Sequence, residues 1–274
     1  MRYGAGCLVV LFALTASPSD AAADQDSLAL LTTGVKALHE GHADDAIASL
    51  EALADLGVVD PVASFDRGLA YSLRVRAGGE VPGDLGRAVH GFEEARDLSR
   101  SRALKDEASR ALSIVRSEIV RRRLRAGESI ETEPGRSLMR TITDLLGENA
   151  WANSAIGASL MMSLGLFVHW LARARRARIA GNIASGIAAL TLLVSLVMTL
   201  AARHDRWLLR EAVVVVDSAR PTDERGLALA SATSIPEGAR VEVIGQQGAL
   251  VRVRYGRVDA WLSSRSVREL APPQ

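Results

Sequence analysis

The chain has 274 residues, with 33 Lys+Arg against 32 Asp+Glu, so its formal charge of +1 provides no overall basic field for nucleic acid. Cys7 is the only cysteine, which excludes a disulfide framework and a thiolate metal cluster, and aromatic residues at 4% are too few for a base-stacking platform. The length leaves room for one or two small domains beside a membrane part.

From the N-terminus, Arg2, the apolar run 8–16, a polar break at 17–20 and Ala21-Ala22-Ala23 have the layout of a secretory signal peptide, expected to span 1–23 with cleavage after Ala23. The alternative is an uncleaved anchor, for which the apolar run is short. Cys7 lies before or within that run with no leucine three residues upstream, so a lipoprotein attachment site does not fit.

Over 24–126 apolar residues recur at helical spacing, as in Leu28, Leu31, Val35 and Leu38, then Ala46, Leu50 and Leu53. Gly41 and Gly83 each precede a similar pattern, Ala46 with Leu50 and Ala88 with Phe92 and Ala95, which marks an internal repeat. These residues resemble the tetratricopeptide family. Gly34, Gly41, Ala46 and Leu50 take its spacing in a first unit, and Gly68, Tyr71, Gly83, Ala88, Phe92 and Ala95 in a second, which carries an insertion around 77–82. Leu53 and Val58 stand where the family prefers Ala and Pro. The resemblance implies paired helices, and because such arrays are stabilised by stacking, a further helix over 101–125 is expected to complete them. Leu104, Ala108, Leu112, Val115 and Ile119 would form its inner face, and Arg121, Arg122, Arg123 and Arg125 are read as solvated charges at its C-terminus. His39-Glu40-Gly41-His42 lacks the four-residue histidine spacing of a zincin helix, so no metal site is expected there.

The segment 127–150 reads as a linker with one juxtamembrane helix over 136–146. The stretch 151–203 then holds two uncharged apolar runs, 152–171 and 179–202, each long enough at about 1.5 Å per residue to cross a hydrocarbon core of about 30 Å. Arg173, Arg175, Arg176 and Arg178 between them must lie outside that core. A transmembrane helical hairpin with a basic turn is therefore expected. Trp151, Trp170 and Trp207 fall near the span ends, where indoles prefer the headgroup level. Ala155, Ser159 and Ser163 on the first helix, and Gly181, Ser185 and Ala189 on the second, suggest small-residue stripes for close packing. The spans carry no ionisable group at depth beyond His169 near the turn, so they read as an anchor rather than an ion pathway.

From 211 to 271 the pattern changes to alternation, with strands expected over 212–216, 227–230, 241–244, 251–255 and 258–262 and glycine turns between them. A small closed barrel would remove exposed strand edges. Pro236-Glu237-Gly238, Val241, Val243, Val251, Val253, Gly256 and Ala260-Trp261-Leu262 resemble the bacterial Src-homology-3 domain, with Trp261 expected in the core. That family usually has glycine before the tryptophan and an aromatic near Leu250, and includes cell-wall and peptide binders.

The expected fold is thus a multidomain membrane protein: all-α tetratricopeptide-like repeats, a transmembrane helical hairpin and a small all-β Src-homology-3-like barrel. A signal peptide followed by these parts in this order resembles the E-type protein of the Bacteroides aerotolerance operon family. The resemblance implies an envelope complex with a MoxR-type ATPase and von Willebrand A-domain membrane proteins.

No catalytic, cofactor-binding or metal-binding residue is assigned. There is no Gly-x-Ser-x-Gly elbow and no phosphate loop, and removal of the signal would take the single cysteine with it. The expectation is a non-enzymatic scaffold in the bacterial inner membrane, presenting two interaction modules to the periplasm and contacting envelope proteins and membrane lipid. The alternative is an envelope sensor or peptidoglycan binder acting through the barrel.

Overall fold

The computed structural model describes residues 18–127, 148–208, 210–229, 232–256 and 258–272. Most of the signal-type segment and the helix expected at 136–146 lie outside them. Five helices come first: α1 (Pro18–Glu40), α2 (Ala43–Asp55), α3 (Pro61–Arg76), α4 (Asp84–Leu98) and α5 (Arg102–Arg125). The helix α1 runs through the expected cleavage point. Two long helices follow, α6 (Glu148–Leu171) and α7 (Arg175–Leu208). The strands are β1 (Arg210–Val214), β2 (Ser218–Ala219), β3 (Ile235–Pro236), β4 (Arg240–Gln247), β5 (Leu250–Tyr255), β6 (Val258–Ser263) and β7 (Val267–Glu269).

Local chemistry sets the helix boundaries. The Asp60 carboxylate accepts from the Val62 and Ala63 amides at 2.8 and 3.0 Å, and Pro61 occupies the first turn, so α3 starts there. The α1–α2 turn needs Gly41, whose φ of 81° is left-handed. Consecutive helices then pack in pairs through the positions that the repeat pattern singled out. A Cβ on Gly34 would come within 2.8 Å of Leu50, and one on Gly68 within 2.8 Å of the Phe92 ring. Ala46, Leu50, Tyr71, Ala88, Phe92 and Ala95 are buried, and each large apolar side chain so buried contributes about 1.5–3 kcal/mol. The inner face of α5 is Ala108, Leu112, Val115 and Ile119, as expected, with Leu104 half-buried.

The β module is a five-stranded antiparallel sheet in the order β6-β5-β4-β1-β7, with β2 and β3 as a separate ribbon. A register shift between Val243 and Gly245 bends β4. The hydrogen-bonded ladder ends on β6 and β7, and β6 is joined further to Thr222, whose amide donates to Trp261 O at 2.8 Å while the Trp261 amide donates to Thr222 O at 3.1 Å. The helices cover the β7 edge: Glu269 O accepts from His90 Nε2 at 2.9 Å, and just beyond the strand the Ala271 amide donates to Glu94 at 3.3 Å. A covered edge meets the same need as closure. The strand expected at 227–230 is absent among the described residues there, where Ala228 makes only an isolated bridge to Thr222. Trp261 is half-buried rather than core, because alternation points Ala260 and Leu262 inward and turns Trp261 to the outer face.

The helices α6 and α7 are joined by the short arginine-rich turn and pack chiefly on each other. Both are long and apolar enough to cross a membrane, over Asn149–Leu171 and Arg175–Ala201, with mean hydropathies of 1.5 and 2.2. Their contact lies along Ala158 and Gly165 on α6 and Gly181, Ser185, Ala188 and Ser195 on α7, with the Gly165 backbone against Gly181 and Ser185. The expected stripes are thus partly corrected, since Ser163 and Ala189 are exposed. Strict four-residue steps drift around a helix by about 40° each, whereas alternating three and four keep one face.

The helices α3 and α4 cross closely at Gly91. A Cβ on Gly91 of α4 would meet Ser64 O of α3 at 2.6 Å and the Gly68 amide nitrogen at 2.8 Å, both rigid backbone atoms. Gly91→Ala should therefore cost about 1–3 kcal/mol of overpacking. That exceeds the gain of about 0.5–1 kcal/mol from replacing a helical glycine. Thermal unfolding of the full-length protein in detergent should show a lower midpoint.

Candidate functional site

The site with the most buried polar chemistry is the seam between the helices and the β module, built on α4 and β1. Ala212, Val213 and Val214 of β1 are all fully buried, and they divide by alternation. Ala212 and Val214 belong to the β core, whereas Val213 belongs to the helical core with Phe92, Val89 and Leu112. One strand therefore serves two cores. The backbone of α4 comes close to it: a Cβ on Gly86 would lie 2.5 Å from Val214 O, and one on Gly83 would overlap Val215 O.

The start of α4 has no side-chain cap of its own, because Gly83 is the N-cap residue. The β module supplies one. Asp217 accepts from the Gly83 amide at 3.0 Å and Glu237 from the Gly86 amide at 2.7 Å, which satisfies donors that a helix start leaves open. Burial pushes the Glu237 carboxyl up to about 7, reinforced by Asp217 and Glu80 and opposed by the Gly86 amide. A cleft of about 380 Å³ opens beside it, lined by Glu80, Pro82, Ile119, Arg122, Asp217 and Glu237.

Further along α4, Glu93 is wholly buried and receives three guanidinium groups, from Arg96, from Arg116 at 2.6 Å and from Arg240 at 2.7 Å. Arg240, at the start of β4, also reaches Asp97 at 2.7 Å and Glu211 of β1. Burial works against the charge of Asp97, but Arg240 and Arg96 outweigh it and hold the carboxyl below its ordinary value. Removing one partner of such a set strands a buried charge and costs about 3–5 kcal/mol. A second set lies on the next face of α4. Glu94 accepts from Ser64 at 2.6 Å, from Arg67 at 2.7 Å and from the Ala271 amide. Arg268 of β7 pairs with Glu51 of α2 at 2.7 Å, and Tyr71 donates to the same glutamate at 2.8 Å.

His90 joins these groups. Arg67 can only donate, so Nδ1, 3.3 Å from its Nη2, is the accepting nitrogen, and Nε2 carries the proton donated to Glu269 O. Burial lowers His90 to about 4, with Glu94 opposing and Arg67 assisting the shift. The ring is neutral and saturated. Ser64, His90 and Glu94 therefore do not form a nucleophile–base relay, since Ser64 donates to Glu94 rather than to the imidazole.

Among the described residues no group of three or more His, Cys, Asp or Glu is arranged to hold a metal ion. His39 bonds to Val35 O within its own helix at 2.8 Å, and His42 lies 3.7 Å from Glu40. Sequence reasoning placed Gly83, Tyr71, Glu237 and the strand 212–216 in structural patterns but named none of the seam's paired charges Glu93, Glu94, Arg240 and Arg268. The available signals were the unbroken valine run from Val213 to Val216, which marks a strand buried on both faces, and the Glu93-Glu94 pair set between Phe92 and Ala95. Comparison with known proteins found no matching family model, no similar curated protein and no similar solved structure.

The seam titrates in two opposing ways. His90 is held neutral, so its contribution to stability is full above its ordinary 6.5 and is lost as pH falls towards about 4. Glu237 favours the protonated form, so its contribution is full below 4.5 and is lost as pH rises towards about 7. In the native protein the two offset each other over much of that range. Glu237→Gln should therefore make the full-length protein lose stability more steeply on acidification from 7 to 4.5, and His90→Gln less steeply. Unfolding midpoints across the range check this; parallel profiles for all three proteins would refute it.

Proposed function

We propose that this chain is a non-enzymatic, membrane-anchored scaffold in which the α6–α7 hairpin crosses the bilayer twice and holds the helical layer and β module as one body on a single side. The observation that carries the proposal is the seam. The strand β1 begins two residues after α7 ends, and it is buried against α4, which precedes the hairpin. A chain that crosses twice returns to the side it left, and the contact agrees with that. Large apolar side chains such as Leu160, Phe167, Ile183 and Leu190 point outward along both helices, a surface that water does not support.

The body would act as one composite binding surface rather than as two independent modules, because buried ion pairs join its halves. The tetratricopeptide-like reading is supported by the buried small and aromatic positions of α1–α4, and the Src-homology-3-like reading by a small sheet whose last strand returns to its first. The signal-type N-terminus favours the periplasmic face of a bacterial inner membrane, with the arginine turn in the cytoplasm. The order of parts supports an E-type role in an aerotolerance-type envelope complex, beside von Willebrand A-domain proteins and a MoxR-type ATPase.

Photo-crosslinking in cells tests this reading. A photoreactive residue placed at Ile114 on α5 or at Leu227 in the β module, both exposed, should trap envelope proteins, with at least one partner common to the two sites. Absence of an envelope adduct from either position would rule out the scaffold assignment.

A further inference from the structure

We propose that the turn joining α6 to α7 is a binding site for anionic phospholipid headgroups, formed by Arg173, Arg175 and Arg176 and held in shape by Arg178. The inference rests on the reading that the hairpin crosses a bilayer.

Between Glu148 and Asp205 the sequence has no acidic residue, yet four arginines crowd into 173–178. Both flanking acids lie towards the other end of the hairpin. The helix α6 has 24 residues, so at about 1.5 Å per residue its far end is about 36 Å from the turn. That is several times the Debye length of about 10 Å, so neither of these two carboxylates neutralises the turn. No carboxylate among the described residues pairs with Arg173, Arg175, Arg176 or Arg178, which leaves the turn open to an external countercharge.

The four arginines differ in what they do. Arg178 Nε donates to Ala172 O at 2.8 Å, and Arg178 O lies 3.5 Å from His169 Nδ1, so this residue ties the start of α7 back to the end of α6. Arg173, Arg175 and Arg176 are exposed. Their neighbours Ala172, Ala174 and Ala177 are small, which leaves an approaching headgroup unobstructed. Trp170 stands just before them and is 79% exposed, at the place where an indole sits among headgroups. In a hairpin that spans, these three guanidinium groups lie at the depth of the lipid phosphates, which they can bind in bidentate fashion. A zwitterionic headgroup returns its own positive charge to the site, whereas an anionic one does not, so the preference is for anionic lipid.

The test uses Trp170 as its reporter in the full-length protein carrying Trp151→Phe and Trp207→Phe, with Trp261 of the β module as a constant background. The protein is placed in phosphatidylcholine nanodiscs containing a minor fraction of lipid brominated near the headgroup end of its chains, either phosphatidylglycerol or phosphatidylcholine. Brominated phosphatidylglycerol is expected to quench Trp170 about twofold or more strongly than brominated phosphatidylcholine. The Arg173→Gln/Arg175→Gln/Arg176→Gln variant should remove that difference and leave quenching by phosphatidylcholine unchanged. Equal quenching by the two lipids in the parent, or a preference that survives in the variant, would overturn the site while leaving the spanning hairpin intact. A preference abolished by inorganic phosphate but not by chloride at equal ionic strength would assign the site to free phosphate and overturn the lipid assignment. No quenching by either lipid would remove the hairpin reading itself, and this proposal with it.

Discussion

The structure depends on the burial of α4 against β1. The helix α4 is enclosed by α3, α5 and the β module, and eleven of its fifteen residues are buried, among them Asp84, His90, Glu93 and Glu94. Charges so placed are stable only when each finds a partner, and the partners come from both halves of the chain. Arg240 reaches in from the sheet, while Arg67, Arg74 and Arg116 reach in from the helices, and Arg268 of β7 pairs with Glu51 of α2. Each half supplies partners to buried groups of the other, Arg240 to Glu93 and His90 to Glu269 O among them. The helical layer needs the sheet to cap α4, and the sheet needs α4 to cover its β7 edge.

This mutual dependence changes what the hairpin is. In sequence it divides two domains; in space it is an insertion into one body made of 18–127 and 210–272. The chain leaves through α5, and it returns through α7 directly into the strand that completes the helical core. The β module is thus joined to the helices by paired charges and close backbone contact as well as by the chain itself. The cleft beside Glu237 lies on this seam, where relative movement of the two halves would change its shape.

Much of this fold was legible in the sequence. Helical periodicity found α1 to α5 and the inner face of α5, and apolar length found the hairpin, because both signals are local and repeat over many residues. The small stripe on α6 was offset, and that on α7 held at Gly181 and Ser185 but not at Ala189, because the packing angle between two helices is not written in either one alone. The core position expected for Trp261 was wrong because alternation sets Ala260 and Leu262 inward, and the cover that the helices give the β7 edge was missed because the β segment was treated as self-contained. An edge strand covered by a distant helix cannot be distinguished, residue by residue, from one that must close on itself. The seam was illegible for the same reason, since Glu93 and Arg240 look like ordinary surface charges until the fold brings them within 2.7 Å.

The most direct test of a body joined across the hairpin is a disulfide across the seam. A Cβ on Gly238 would lie 3.7 Å from Val89 Cβ, within the separation of about 3.5–4.5 Å that a disulfide requires, and the left-handed φ of 72° at Gly238 makes a cysteine there cost about 1–2 kcal/mol. The variant Val89→Cys/Gly238→Cys, built on Cys7→Ser with a protease site inserted in 128–147, would be oxidised mildly in native membranes and then cleaved. The account predicts that the two fragments stay linked until reduced. Fragments that separate without reductant, although each cysteine reacts when present alone, would contradict it and return the helical layer and the β module to independent units.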